Sequence, residues 1–511
     1  MSTTLFQVLT FTVLGVSLYF LANYISHLLS PLRGVPGPFW ARLSDGWYFW
    51  RIWKGHFEED NLQLHQKYGP IIRYGPNRYS FDDPEAAKII YGHGSHFPKS
   101  SWYSTWSNPG QWSLFTDRSI ARHSQNRRLY QSAYSMSALM SYEGFVDECA
   151  SLFLRRMSEL AGTGLSIDMG HWAQCYAFDV IGCITYSKRL GFLDRGEDIS
   201  GVIAALEDHM VYATLVGIFS YLHYPLWNLR NYLAGEKGKG RAYVINFTKE
   251  CIAGHQSKTR MDEMKSATSD DTTQPMDLLS KFYTRHSANP EVFTMYHLLS
   301  ACVSNMVAGS DTTAISFSVI LYYLIRHPKV LQKLRDEVDG LQKPSDWTPI
   351  TFQDSQGMPY FQAIIKEALR LHPAVGMPLE RVVPEGGATI SGRFFPEGTI
   401  VGINSWVAHR SPLAFGPDPE AFRPERWLDA DPEKLALMNR YWIPFGMGSR
   451  NCIGRHISLL EMSKLIPRFV RNFDFELCNP AASWKTTNTW FVKPREFKVT
   501  LSLRSLEVEK L

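Results

Sequence analysis

The ten residues Phe445-Gly446-Met447-Gly448-Ser449-Arg450-Asn451-Cys452-Ile453-Gly454 constrain this chain more than any other stretch. Glycines on both sides of Cys452 let backbone pass close to something flat and bulky, since they lack a Cβ and accept positive φ. Arg450 is a fixed cation suited to a carboxylate or phosphate. Beyond the cysteine, Ile457, Leu460, Glu461, Lys464 and Leu465 have helical spacing and predict a helix over Ile453–Ile466. Cys452 therefore lies just before a helix N-terminus, where a thiolate is favoured. A thiolate on a glycine-framed loop beside an arginine suits a metal cofactor that also carries acidic groups.

Two plainer readings compete. A lone cysteine is usually a small buried hydrophobe. A glycine-rich loop before a helix can cradle phosphate, although no Gly-Lys-Ser/Thr follows here. The spacing favours a third. Phe445, Gly448, Arg450, Cys452 and Gly454 match F-x-x-G-x-R-x-C-x-G, and in this the segment resembles the haem-binding signature of the cytochromes P-450. The resemblance implies haem b (iron protoporphyrin IX), with Cys452 as its proximal thiolate ligand. These proteins are a standard instance of cysteine-ligated haem.

Composition is compatible with that reading without demanding it. Of 511 residues, 45% are apolar, enough for a large core. The net charge is +4 and is spread along the chain, so nothing calls for nucleic acid. Seven cysteines, odd in number and without metal-finger spacing, read as reduced thiols in a cytosol-facing protein.

Leu5–Leu29 is apolar almost throughout, long enough to cross a bilayer core, and no Asp, Glu, Lys or Arg precedes Arg33. We read residues 1–30 as an uncleaved membrane anchor whose charge placement leaves the body in the cytosol. Pro31-Leu32-Arg33-Gly34-Val35-Pro36-Gly37-Pro38 follows as a stiff stalk. It resembles the proline-rich hinge of the microsomal members, which makes 31–45 a hinge and 46–511 a single haem-thiolate catalytic domain. The fold class implied is mainly α with small β-sheets (α+β), behind an N-terminal transmembrane helix in the endoplasmic reticulum membrane.

Several further segments take meaning from the resemblance. Phe293–Arg326 reads as one long helix with Ala308-Gly309-Ser310-Asp311-Thr312-Thr313, poor helix formers, at its middle. The plain reading is a helix boundary capped by Ser310 or Asp311. The resemblance implies instead the oxygen-activation motif, in which Asp311 and Thr312 manage protons. His123 and Arg127, four apart on a predicted basic helix over Ser119–Tyr134, share a face. They match a propionate-binding pair, and Arg381 matches a propionate-binding arginine. Glu367 and Arg370, on a helix over Pro359–Leu371, are implied to form a structural triad with Arg426.

The aromatic loop Phe97–Phe115 supplies Trp102, Trp106 and Trp112 as substrate-pocket candidates, alongside Val375, Met377, Trp490 and Phe491. Val211–Leu233 reads as a helix–loop–helix edge touching the membrane, broken near Pro225, and Gln256–Gln274 as a solvated linker.

The activity implied is monooxygenation: one atom of O2 enters a lipophilic small molecule. The electrons would come from NADPH through NADPH–cytochrome P-450 reductase, with cytochrome b5 as a second donor. No G-x-G-x-x-G dinucleotide motif follows a strand here, so a separate reductase is implied. Arg122, Arg128, Arg440 and Arg455 are candidates for steering it. Segments 97–103 and 130–135 resemble fungal members near the pisatin demethylase group, which points to secondary metabolism. Two alternatives stay open: a peroxygenase or isomerase of the same fold, and a non-catalytic haem-thiolate ligand-binding protein. The retained Asp–Thr pair speaks against the first, and turnover with reductase would exclude the second.

Overall fold

A computed structural model describes residues 3–235, 240–266, 276–341, 345, 347–481 and 484–504. Helix α1 (Thr3–Leu29) begins the chain, and its Phe6–Ser26 portion is long and apolar enough to cross a membrane, with none of it buried against the protein. The proline-rich segment after it is docked rather than free. Leu32 and Val35 are buried against Tyr79, Phe81 and Phe395, and Phe39–Leu43 turns into a short helix.

Helix α2 (Phe57–Tyr68) stops at Gly69, whose φ of 95° only glycine adopts readily. The hairpin of β1 (Ile71–Gly75) and β2 (Arg78–Phe81) follows as expected, in antiparallel register Ile71↔Phe81.

The predicted basic helix is α3 (Ile120–Gln131), capped by the Ser119 hydroxyl. Next come α4 (Glu143–Leu160), α5 (Met169–Tyr186) and α6 (Val202–Ile218). The expected break at Pro225 lies elsewhere. A single 3-10 turn at Ser220–Leu222 separates α6 from α7 (His223–Ala234), and Pro225 sits in the first turn of α7. A first turn tolerates proline because the lost N–H has no intrahelical partner there. Tyr221, Tyr224, Tyr232 and Leu233 are exposed at this edge.

The expected linker is helical at its start. Helix α8 (Arg241–Ser266) runs through Gln256, and 267–275 lie outside the described residues.

The long predicted helix is two: α9 (Met295–Gly309) and α10 (Asp311–Arg326), meeting at Ser310. Hydroxyls explain the interruption. Ser310 Oγ donates to the Met306 carbonyl at 3.0 Å and Thr312 Oγ1 to that of Ala308 at 2.8 Å, and such back-bonding bends helices.

Helix α11 (Pro359–Leu371) has the predicted bounds, with proline in its first turn. Two later strands, β3 (Arg381–Val382) and β4 (Ile400–Gly402), join the hairpin in the order β1-β2-β4-β3, with β2 and β4 parallel. Helix α12 (Arg455–Asn472) is longer than expected at its C-terminal end and carries Pro467 inside it. The hairpin of β5 (Lys485–Thr489) and β6 (Phe491–Arg495) closes the described fold, with Lys498–Leu503 pairing back to Phe473–Leu477. The main core is the packing of α4, α5, α10, α11 and α12.

Candidate active site

Cys452 sits at the floor of a hollow between α12 and the α9–α10 junction. The inner cavity, about 330 Å³, is walled by Ala308, Gly309, Thr312, Phe445, Gly454 and Cys452, among others. It opens past His123, Arg127 and Arg381 into an outer hollow of about 590 Å³. The cysteine loop keeps its shape through positive φ at Gly446 (71°) and Gly448 (65°) and a bond from the Cys452 N–H to the Phe445 carbonyl at 2.8 Å. Gly448 cannot be replaced without movement, since a Cβ there would meet the Tyr91 carbonyl oxygen at 1.8 Å.

Cys452 lines both hollows and is open to solvent through them, while protein atoms crowd it on its other sides. Burial pushes it above its ordinary value. The amides of Gly454 and Arg455 and the charges of Arg127 and Arg455 oppose that shift. These are the groups that would stabilise a thiolate once a metal replaced the proton.

Above the loop, five cationic or cationisable side chains converge. Arg127 donates to the Asn451 carbonyl at 2.8 Å, and Arg450 to the Asp117 carbonyl at 2.6 Å. Arg381 lies over the Tyr91 ring, 5.0 Å from its centroid. His123 is buried at the boundary between the two hollows. The sequence reading missed the fifth, Lys99. Its backbone bridges to that of Arg381, it is buried, and its ammonium lies 4.3 Å from the Tyr103 ring centroid.

The mutual repulsion of these groups is large. Burial, then Arg450, Lys99, Arg127 and Arg381, lowers His123 to about 3. Burial, then Arg381, lowers Arg450 to about 10. Burial and the same arginines hold Lys99 well below its ordinary value. Nearby carboxylates are engaged elsewhere: Asp117 is held by Arg122 at 2.8 Å, and Glu380 by Arg78, Tyr74 and Ser100. An open cavity with a thiol at its floor and surplus buried cations on one side fits a flat metal cofactor bearing two carboxylates.

Arg122, Arg128, Arg440 and Arg455 are all exposed, and Arg122 is in addition paired with Asp117.

Thr312 is on the cavity wall and Asp311 is not. Asp311 is buried, ion-paired to Lys493 of β6 at 2.8 Å and hydrogen-bonded by Gln174 of α5. Trp106, Val375, Trp490 and Phe491 line the inner cavity; Trp102, Trp112 and Met377 do not. Trp102 is held off it by its bond to the Thr214 carbonyl at 3.1 Å, under Gly217 of α6. Trp112 packs on Tyr296 of α9, and Met377 is in the core. Trp490, at the β5–β6 turn with φ of 84°, brings its ring to 4.7 Å from that of Trp102 and 5.8 Å from that of Trp106. Glu461 was noted only as a helix-spacing residue. It lines the cavity, is buried with neither carboxylate oxygen bonded among the described residues, and burial drives it well above its ordinary value.

Behind the cysteine loop, Arg370 grips Glu367 with two bonds of 2.9 Å, and Arg426 adds a third at 2.8 Å. Trp427 Nε1 and the Arg423 N–H complete the carboxylate's shell. The two guanidiniums also donate to the carbonyls of His409, Phe415, Asp418, Pro419 and Ala421. The cluster thus joins α11 to the segment that leads into the cysteine loop.

The model of the Cytochrome P-450 family matches residues 36–501. The chain belongs to the cytochrome P-450 family. Among its relatives, pisatin demethylase of Fusarium vanettenii is 39% identical over 501 residues, covering 98% of this chain and 94% of that protein. The cytochrome P-450 monooxygenase pkfB of Emericella nidulans is 34% identical, covering 96% and 95% respectively. The monooxygenase mpaDE' of Penicillium brevicompactum is 33% identical over 94% of this chain but 56% of its own length. As a cytochrome P-450 the protein is an oxidoreductase of the monooxygenase type with a haem cofactor, and its mainly α fold with small sheets is that of the family.

Proposed function

We propose that this cytochrome P-450 inserts one oxygen atom from O2 into a lipophilic small molecule of fungal secondary metabolism. NADPH would supply the electrons through a separate reductase, with cytochrome b5 as a further donor. The single observation that carries the reading is the cavity with Cys452 at its floor and five converging cationic groups at its side. Residues 1–30 would anchor the protein in the endoplasmic reticulum membrane, 31–45 would form the hinge, and 46–511 the catalytic domain on the cytosolic side. The apolar span Phe6–Ser26 supports the anchor.

Haem, when bound, supplies the redox chemistry and the activation of O2. The protein's own residues do the rest. Cys452 holds the metal as thiolate, its charge stabilised by the Gly454 and Arg455 amides and by Arg127. Arg127, Arg381, Arg450, His123 and Lys99 hold the cofactor's carboxylates, which relieves their own repulsion. Thr312 places a hydroxyl on the cavity wall, where it can orient and pass a proton. Asp311, once its pairing with Lys493 opens, would take a proton from water and pass it on toward Thr312. Trp106, Phe115, Trp490, Phe491 and Val375 give the substrate an apolar seat that excludes water. The Glu367–Arg370–Arg426 cluster has a structural role, keeping the cysteine loop in register.

The test is reconstitution of the full chain with haem, reductase and NADPH, with lipophilic fungal metabolites offered under isotopically labelled dioxygen. Product carrying one labelled atom, with matching NADPH consumption, is expected. Binding without NADPH-dependent product would contradict the reading.

A further inference from the structure

The inner cavity has a second cationic corner. Arg241, the first residue of α8, lines the wall with Trp106, Ser300 and Ser304. Among the described residues its guanidinium has neither an ion pair nor a hydrogen bond, and its Nε is buried without a partner. Burial lowers it to about 10, and the group that opposes this is the Tyr296 phenol, not a carboxylate.

Two further groups share its condition. The Trp106 indole Nε1–H is buried and unpartnered, and that ring lies 5.7 Å from the ring of His209. His209, on α6, is buried with neither ring nitrogen bonded among the described residues, and Arg241 is the foremost charge acting on it. One corner, where α6, α8 and the Ser101–Trp106 turn meet, therefore holds a guanidinium, an indole N–H and an imidazole without acceptors. Buried donors left unpaired are costly, and three together call for an acceptor from outside the chain.

The cofactor's carboxylates do not answer that call. The cations bearing on Lys99 and His123 are Arg381, Arg450 and Arg127. Arg241 is not among them, and it answers instead to Tyr296. Beside the corner the wall turns aromatic, with Trp106, Phe115, Trp490 and Phe491.

We propose that Arg241 binds a carboxylate on the substrate, with the Trp106 Nε1–H as a second donor, so that this enzyme takes acidic lipophiles such as aryl carboxylic acids. The inference rests on the haem-thiolate reading above and adds a substrate class to it.

The test uses the haem-loaded full chain and three matched pairs: benzoic, 2-naphthoic and biphenyl-4-carboxylic acid, each against its methyl ester. Affinity is read by equilibrium dialysis and by the shift of the haem absorption at pH 7.5. At least one acid is expected to bind about 10- to 100-fold tighter than its ester, the range of one charge-assisted hydrogen bond. Arg241→Gln should abolish that preference, and Arg241→Lys should keep a reduced one. Arg241→Glu should favour biphenyl-4-ylmethylamine over biphenyl-4-carboxylic acid.

No acid preference in any wild-type pair overturns the inference, as does a preference that survives in Arg241→Gln. The wild-type comparison carries the test even where a variant fails to load haem. The reduced, CO-bound spectrum separates the two levels. An intact thiolate-haem band with no acid preference strikes the substrate assignment alone. A wild-type protein without that band strikes the haem-thiolate reading and the substrate inference with it.

Discussion

Lys493 Nζ lies 2.8 Å from Asp311 Oδ2, so the acid that opens α10 is held by a cation from the β5–β6 hairpin. Both side chains are at least nine-tenths buried. Lys493→Met leaves a buried carboxylate without its cation, and such a loss costs about 3–5 kcal/mol. Removing both charges in Asp311→Asn/Lys493→Met should cost less than Lys493→Met alone. Chemical denaturation of the three proteins checks this. Equal destabilisation of the single and double variants would show that the pair is not coupled.

Glu367 is the shared acceptor of Arg370 and Arg426, and all three are buried. Glu367→Gln strands two guanidiniums and should destabilise the fold by about 3–5 kcal/mol. Haem retention is the measurement: purified variant should come largely without haem, while Lys333→Gln, which removes an exposed pair with Glu425, should load normally.

Glu461 gives the protein a pH slope. Burial raises its folded value well above the ordinary 4.5. Below that ordinary value both states hold the proton and nothing is lost. As pH climbs above it, the unfolded chain releases the proton while the folded chain keeps it, so stability falls until the folded value is passed. Glu461→Gln removes the titration. Melting temperature plotted from pH 4 to 8 should fall more steeply for the wild type than for the variant, and parallel curves would contradict the neutral-acid assignment.

Arg128 and Arg455 are exposed near the cysteine side of the molecule. Charge reversal at both should slow reductase-supported turnover several-fold at low ionic strength, with the difference fading as salt rises. Stopped-flow reduction measured across a salt series checks it. A deficit independent of salt would point to misfolding instead of steering.

Local features were the legible ones. Cys452 with its glycines and Arg450 is a contiguous segment, and Pro359–Leu371 carries both a proline start and an apolar period, so loop and helix could be read directly. Pro225 misled because proline marks a first turn and a helix end with the same letter. The break at Ser310 was foreshadowed by poor helix formers, but its cause, hydroxyls bonding back to carbonyls, is a matter of rotamers. Lys99 and Arg241 carried no signal at all. Lys99 gains meaning from a backbone bridge to the distant Arg381, and Arg241 from the meeting of two helices and a loop turn. Trp102, Trp106 and Trp112 look alike in sequence, and only packing against α6 and α9 separates the ring on the cavity from the two off it. Glu461 sat on the predicted helix, yet its lack of a hydrogen-bond partner among the described residues is visible only once the core closes around it.

The central claim is that Cys452 ligates the haem iron. Its most direct measurement is the absorption spectrum of the reduced, CO-bound protein, recorded for the wild type and for Cys452→Ala. The wild type should show the red-shifted band of a thiolate-bound haem, and the variant should lack it together with NADPH-dependent product. A variant that keeps both the band and the product at wild-type levels would contradict the account.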